Sequence, residues 1–322
     1  MIHDPASGHS YRDLVPGSER WIDLDDPDAA ALDAAIPTEL HSTVMSRLLA
    51  PASHSDEPRP RLEAHGNYVF GILVLPTIDP DGDGGGEVTV HEIDVVVTLD
   101  RIVTVRKTPP GKPSCDLTEL VTSTHRDNTP PGMSLYLLVD EIGEGFLTVV
   151  DRFNDDIDEL EDNVGEWPSQ QVRERISSLR HEILETRRVL TPTRDAARAV
   201  LDDRVELDGD ITLFPREIEL HFADAYDKLL RATDGLDLAR DLLAGVRDFH
   251  QAQVANDQNE VMKRLTVVAS VLLLPTFIVG LYGQNLRGIY ELHWAHGYLW
   301  SWFLIIVTTI AQIAYYRRKK WI

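Results

Sequence analysis

The stretch LTVVASVLLLPTFIVGLYGQN, residues 265–285, decides the fold together with YLWSWFLIIVTTIAQIAYYRRKK, residues 298–320. Residues 265–283 and 298–316 carry no charged side chain. Each run has about 19 residues, which as a helix measure roughly 28 Å, close to the hydrocarbon thickness of a bilayer. Charge-free runs of this length with aromatic ends are rare in soluble proteins. We therefore predict two transmembrane helices rather than two buried helices of a soluble core.

The basic residues around these spans predict their orientation. Lys263 and Arg264 precede the first span, and the basic tail at residues 317–320 follows the second. By the positive-inside rule both termini lie in the cytoplasm, which makes this a multi-pass protein of the cytoplasmic (inner) membrane. Two spans cannot enclose an aqueous path, so a conducting protein would form a closed ring of identical subunits.

Charge is divided unevenly along the chain. From residue 263 onward there are seven basic side chains and one acidic side chain, a net charge of +6, which leaves −28 on the preceding residues given the total of −22. An acidic body of this size repels phosphate backbones and attracts cations, so nucleic acid is not expected as a partner. The single cysteine, Cys115, excludes an intramolecular disulfide and any thiol cluster for a soft metal.

A segment without proline between Pro215 and Pro275 leads into the first span. Residues 215–264 read as one stalk helix, with apolar residues in alternating steps of four and three, which is a heptad seam. The seam residues are Ile218, Phe222, Ala225, Leu229, Ala232, Leu236, Ala239, Leu243 and Val246. The run between Pro215 and Pro275 makes a continuous helix of about 60 residues, on the order of 90 Å long. A coiled coil that serves only as a dimerisation rod is the alternative.

Upstream of the stalk, residues 131–207 predict an acidic antiparallel helical hairpin, whose second helix ends at about Leu207. Acidic residues crowd the end of its first helix: Asp155, Asp156, Asp158, Glu159, Glu161 and Asp162. These predict a solvated acidic face, or a weak cation-attracting surface near a pore mouth.

Residues 1–130 predict a small α/β domain. Apolar, β-rich runs occur at residues 21–24, 68–75, 92–99 and 102–107, between Gly, Asp and Pro. The sequence DPDGDGGGE, residues 79–87, predicts a hairpin turn. It does not fit a calcium loop, because no Glu stands at the twelfth position.

The first span ends in the sequence Tyr282-Gly283-Gln284-Asn285. Gly283 would allow backbones to approach closely at a crowded axis, and the Asn285 side chain can hold the water molecules of a hydrated cation. Because Mg²⁺ gives up its water reluctantly, a neutral polar ring suits an outer filter for this ion.

The membrane region resembles the CorA family of magnesium/cobalt transport proteins, the 2-TM-GxN type of metal ion transporter. The family signature YGMN corresponds to residues 282–285, and its MPEL corresponds to residues 289–292. The segments WIDL (21–24), NYVFGIL (67–73) and DAYDK (224–228) are also similar to family counterparts. The resemblance implies a CorA-like funnel, a homopentamer whose stalk helices continue into the pore. It also implies transport of Mg²⁺, and in many members of Co²⁺ or Ni²⁺, with no organic cofactor.

The resemblance also implies site residues. The selectivity filter would be Tyr282, Gly283, Gln284 and Asn285; the pore lining and gate would be Asn259, Met262, Leu265, Leu273 and Thr276. Asp224 corresponds to a stalk carboxylate that binds regulatory Mg²⁺ in some members, so that intracellular Mg²⁺ would close the pore.

The chain departs from the family pattern in two places. Gln284 replaces the methionine of the signature, and Gly66 and Asn67 stand where a partner carboxylate for Asp224 is expected. We therefore predict a weaker or displaced regulatory metal, bound through Asp227 or Asp248.

Three other functions compete with a Mg²⁺ channel. A transporter of Zn²⁺ or another transition metal in the same superfamily is the first, although the twelve histidines form no compact ligand cluster in the sequence. A membrane-anchored hydrolase would need a nucleophile elbow, a P-loop or an HExxH motif, none of which occurs, so we expect no enzyme. The third is a scaffold that does not conduct.

Overall fold

The computed structural model describes residues 20–36, 39–52, 59–79, 86–209, 212–284 and 294–321, which form two compact units. The first unit comprises Met1–Asn163 and Gln170–Val246, and the second comprises Val164–Ser169 and Arg247–Ile322. The strands are β1 (Trp21–Asp25), β2 (Arg61–Ala64), β3 (Val69–Asp79), β4 (Glu87–Val97) and β5 (Ile102–Lys107). The helices are α1 (Ala29–Ala35), α2 (Ser42–Leu48), α3 (Thr118–Asp127), α4 (Pro131–Asn163), α5 (Ser169–Leu201), α6 (Arg216–Gly283) and α7 (Gly297–Arg318).

The first unit is built on a five-stranded sheet with the order β1-β5-β4-β3-β2. Only β1 and β5 pair in parallel, and the other neighbours are antiparallel. Because side chains alternate along a strand, the strands β3, β4 and β5 bury side chains on both faces of the sheet. On one face α1 and α2 cover a buried cluster that includes Leu32, Leu48, Phe70, Ile72 and Val103. On the opposite face α4 packs against β3.

The helices of the first unit are held by a long apolar seam and by ion pairs. All nine predicted seam residues of α6, from Ile218 to Val246, are at most 6% exposed, so the predicted heptad seam is confirmed. Arg152 of α4 contacts Glu182 of α5 at 2.6 Å, and Arg187 of α5 contacts Asp237 of α6 at 2.8 Å. Asp156, one turn after Arg152 in α4, contacts Arg175, which precedes Glu182 in α5, at 2.7 Å, so α5 runs antiparallel to α4.

The second unit contains the membrane-proximal part of α6, with both apolar spans, and the α4–α5 connection. The helices α6 and α7 are the two described helices that are long and apolar enough to cross a membrane. Helix α6 continues through Pro275 to Gly283, and α7 starts one residue before the predicted second span.

Several predicted boundaries were wrong. Helix α5 ends at Leu201 instead of Leu207, because residues 202–208 turn away from the helix, and Leu207 is buried in that connection. The strand β2 and the helix α1 were not predicted, since both are short and form through contacts with distant residues. The strands β3 and β4 extend to Asp79 and from Glu87, so the hairpin has longer arms; its turn, residues 80–85, lies outside the described residues.

Candidate functional site

The last part of α6 exposes apolar side chains on several sides. Met262 is 58% exposed, Leu265 60% and Leu273 72%, whereas the seam residues of the same helix are buried. A soluble helix would not leave such residues uncovered, because burying apolar surface is what stabilises it in water. The exposed apolar surface of this part of α6 is available to lipid or to other protein chains.

The predicted pore residues lie on one face of α6. At 100° per residue, Asn259, Met262, Leu265, Leu273 and Thr276 fall within an arc of about 120°. All five are exposed in the single chain. The structure therefore brings these five together along one uncharged face.

The opposite face of α6 is buried. Val267 and Ile278 are each 5% exposed. Helical geometry places them about 170° from the centre of the arc formed by Met262, Leu265, Leu273 and Thr276. Ser270, which is half-buried, accepts a hydrogen bond through its carbonyl from Gln312 of α7 at 3.2 Å. Helix α7 thus covers one side of α6 and leaves the predicted pore face open.

The predicted filter begins where α6 ends. Tyr282 is half-buried, Gly283 and Gln284 are exposed, and the Gln284 amide donates to the Leu281 carbonyl at 3.4 Å. Asn285 lies outside the described residues, as do residues 289–292. Among the described residues, a Cβ atom at Gly283 would meet nothing within 4 Å.

The predicted regulatory carboxylates do not form one group. Asp224 and Asp227 are exposed within one turn of α6, whereas Asp248 lies about six helical turns farther along and pairs with Arg247 at 3.0 Å. Within the described parts of the chain no three His, Cys, Asp or Glu side chains are placed to share a metal ion. A single subunit therefore offers isolated carboxylates here rather than a closed metal site.

Sequence reasoning missed a carboxylate at the Gly66 turn. Gly66 has a φ of +69°, and its carbonyl accepts a hydrogen bond from the Asp208 amide at 2.7 Å. A Cβ atom at Gly66 would lie 3.1 Å from Asp208 Oδ2. An exposed carboxylate thus adjoins the turn where the family pattern expects one, supplied by a residue far away in the sequence. No local pattern could have indicated it.

The acidic end of α4 is only partly solvated, which corrects the prediction for one residue. Asp156 is 6% exposed and lies between Arg152 at 3.0 Å and Arg175 at 2.7 Å. Burial raises the pKa of its carboxyl group, and the two arginines oppose that shift. The other five carboxylates of the predicted cluster are exposed. Asp156 therefore joins α4 to α5 instead of attracting ions.

The thiol of the lone cysteine is unsuited to metal binding. Burial raises the pKa of Cys115 to about 11, so the thiol keeps its proton at neutral pH. Since the thiolate is the form that binds metals, Cys115 is not a ligand for a soft metal ion in this conformation.

Comparison with known proteins agrees with this architecture. A profile of the family described as CorA-like Mg²⁺ transporter protein matches residues 17–319. The chain is 27% identical over 270 residues to the cobalt/magnesium transport protein CorA of Thermotoga maritima, over 82% of this chain and 73% of that protein.

Two solved structures share the fold. The complete CorA magnesium transporter of Methanocaldococcus jannaschii aligns with a TM-score of 0.73 at 21% identity, over 94% of this chain and 91% of that one. The cytoplasmic domain of ZntB from Vibrio parahaemolyticus aligns with a TM-score of 0.50 at 14% identity, over 73% of this chain and 88% of that one.

An α/β domain, a long helix that continues into an apolar segment and a second apolar helix define a membrane protein with a large soluble part. The family match covers nearly the whole chain, and the chain belongs to the CorA-like Mg²⁺ transporter family.

Proposed function

We propose that this chain is one subunit of a homopentameric channel that admits Mg²⁺, and also Co²⁺ or Ni²⁺, across the cytoplasmic membrane. Membership of the CorA-like family and the likeness to a cobalt/magnesium transport protein support this ion choice. Both termini would lie in the cytoplasm, in keeping with the basic residues at 263–264 and 317–320.

The observation that carries the proposal is the open, uncharged face of α6. Asn259, Met262, Leu265, Leu273 and Thr276 are exposed on the side away from the buried residues Val267 and Ile278. In a ring of subunits these faces would meet around the axis and enclose a path that a single chain cannot form.

The lining chemistry suits a hydrated divalent cation. The ring of Asn285 side chains would hold the water shell of the ion without removing it. The rings of Met262, Leu265 and Leu273 would close the path by excluding water. Ions would then move down the membrane potential, worth about 2.3 kcal/mol per charge per 100 mV.

Intracellular Mg²⁺ would close the channel by binding between subunits. Asp224 is exposed and can face a neighbouring subunit, and Asp208 lies at the Gly66 turn where the family pattern expects the second carboxylate. Asp227 and Asp248 remain the other candidates for this metal. Bound Mg²⁺ would hold adjacent soluble parts together, and loss of the metal would release them.

Transport of Zn²⁺ or another transition metal is the alternative. The fold does not distinguish the Mg²⁺ proposal from the transition-metal alternative, because the ZntB cytoplasmic domain shares this fold. In the described residues the lack of a three-ligand His/Cys/Asp/Glu group favours the weakly held, hydrated Mg²⁺.

Flux into proteoliposomes tests the proposal. The purified protein should pass Mg²⁺ and Co²⁺ when the interior is negative, and Asn285→Ala should abolish most of that flux. Asn163→Ala makes the same chemical change at the end of α4 and should leave flux unchanged. Passage of Zn²⁺ alone would favour the alternative substrate. If no divalent ion passes, or if Asn285→Ala conducts like the parent, the channel proposal is wrong.

The gating step has its own test. Internal Mg²⁺ should reduce flux, and Asp224→Asn should weaken this inhibition, because one ligand charge is lost. Asp208→Asn should act in the same direction if it supplies the second carboxylate. Asp234→Asn, at another exposed carboxylate of α6, is the matched control. Equal inhibition in all four proteins would exclude Asp224 and Asp208 as gating ligands.

A further inference from the structure

An open groove lies between the two apolar helices of the second unit. It has a volume of about 320 Å³ and is lined by Leu274 of α6 and by five residues of α7, which are Thr308, Ala311, Gln312, Tyr315 and Tyr316. The five are spaced by three and four residues, so they form a single stripe along α7. Most of the lining is apolar, which suits a hydrocarbon chain better than a polar solute.

The floor of this groove is fixed by one hydrogen bond. Gln312 Nε2 donates to the Ser270 carbonyl at 3.2 Å, which ties α7 to α6 within the apolar region. A hydrogen bond between spans holds the two helices in one register, because the alternative is an unsatisfied polar group in hydrocarbon. The groove is thus a formed feature of the helix pair.

Basic residues continue the same stripe at the end of α7. The Lys319 amide donates to the Tyr315 carbonyl at 3.0 Å, so the helical spacing reaches Lys319. Lys319 follows Tyr315 by four residues and Tyr316 by three, which places it on the groove side of the helix. Arg317 follows the same tyrosines by two residues and one, which places it on the other side.

The positive charge at this end has no counter-charge among the described residues. Residues 317–320 are all exposed. None of the carboxylates in the described residues forms an ion pair with them, although many other basic residues of the protein are paired. A ligand for this end of the groove must therefore bring its own negative charge.

We propose that this groove and Lys319 form a binding site for an anionic phospholipid. The acyl chain lies along the stripe from Thr308 to Tyr316, and the phosphate lies at Lys319. Clusters of Lys and Arg directly after a span attract anionic headgroups, and tyrosines are favoured at the same depth because they are apolar with one polar end. The site rests on α7 lying in a bilayer, and not on which ion the protein transports.

Native mass spectrometry of the full-length protein in a neutral detergent tests this site. Phosphatidylglycerol should be retained at least tenfold more than phosphatidylcholine with the same acyl chains. Lys319→Gln should weaken phosphatidylglycerol binding about fivefold, the effect expected for one basic residue at the membrane surface. Arg317→Gln removes the same charge at the same level on the other side of the helix, and should change binding little.

Filling the groove provides a second, independent test. Ala311→Phe should reduce phosphatidylglycerol binding without changing the subunit number of the assembly. Inorganic phosphate at millimolar concentration should not displace the lipid, because the acyl chain contributes to binding.

Four results would overturn the site: equal retention of the two lipids, equal effects of Lys319→Gln and Arg317→Gln, unchanged binding in Ala311→Phe, or altered assembly in Ala311→Phe. The last would mean that a second copy of the chain covers the groove. Because the measurement needs no ion flux, its result is independent of the channel proposal.

Discussion

The two ends of α6 treat apolar side chains in opposite ways. Between Ile218 and Val246 the seam is almost fully buried, while beyond Val261 side chains such as Leu273, at 72%, and Phe277, at 64%, are exposed. Both arrangements satisfy the same rule, that apolar surface avoids water. They differ because the first unit makes its own apolar environment, whereas the second, which carries the two candidate membrane helices, leaves apolar side chains exposed to their surroundings. One continuous helix therefore has a part that packs in a water-exposed protein unit and a part suited to an apolar environment.

Charges divide the two regions as well. The first unit buries an ion cluster, in which Lys107 Nζ lies 2.7 Å from Glu92 Oε1 and 2.7 Å from Asp94 Oδ2, with Lys107 only 2% exposed. In the second unit, no charged side chain lies within either span. A folded protein interior can supply a partner for each charge, whereas hydrocarbon supplies none.

Removing the buried Lys107 cation should have the largest effect on the free energy of unfolding. Lys107→Met leaves Asp94 buried without its ion-pair partner and leaves Glu92 paired with Arg47 alone, which should cost about 3–5 kcal/mol of unfolding free energy. Lys112→Met is the matched control, because Lys112 pairs with the exposed Glu87 and should cost about 1 kcal/mol or less. Chemical denaturation of the full-length protein, followed by a signal from the first unit, measures both. Equal losses of unfolding free energy in the two variants would mean that the buried Lys107 ion pairs stabilise the protein no more than the exposed Lys112 pair.

Disturbing the close packing of α6 against α4 in the first unit should have a smaller effect on stability. A Cβ atom at Gly235 would lie 2.7 Å from Val150 Cγ1, so Gly235→Ala should cost about 1–3 kcal/mol. Gly245, on the same helix, has nothing within 4 Å of that position, and Gly245→Ala should stabilise the protein by about 0.5–1 kcal/mol. Thermal unfolding should therefore shift in opposite directions for the two variants. A shift in the same direction would contradict the packing seen at Gly235.

A further effect of the buried ion cluster concerns the pH dependence of stability. Burial raises the pKa of Asp94 to about 7 from an ordinary value of 3.8, against the opposing effect of Lys107. Between these values the folded protein holds a proton that the unfolded chain releases. This contribution to stability is present below about pH 4 and is lost as the pH rises through 7.

Asp94→Asn should remove this dependence. Unfolding at pH 5 and pH 7.5 should show the parent losing stability relative to the variant at the higher pH. Asp100→Asn, at a carboxylate in the turn between β4 and β5, is the control. An unchanged difference between parent and Asp94→Asn at the two pH values would show that Lys107 keeps Asp94 ionised throughout.

The helical parts were predictable because their signal is local. A helix repeats every 3.6 residues, so the seam from Ile218 to Val246 and the apolar face of α4 can be read along the chain. The spans are visible for a simpler reason, since each is a long run without charge. For the candidate site, the same periodicity places Met262, Leu273 and Thr276 on one face without any knowledge of tertiary contacts.

Other features needed the folded chain. The strand β2 forms because its backbone pairs with β3. Its four residues are too few to show the alternation that would predict a strand. The Asp208 carboxylate reaches the Gly66 turn through the path of the connection after α5, and Gln312 reaches the Ser270 carbonyl 42 residues away.

The sequence by itself therefore determined the membrane spans, the long helix and the side of that helix that carries the proposed pore residues. The tertiary structure alone decided which side of α6 is covered by α7, where the lipid groove forms and how Lys107 is neutralised. The physical reason is that hydrophobic periodicity depends on neighbours within one or two turns. Burial, charge pairing and grooves depend instead on which distant segments meet.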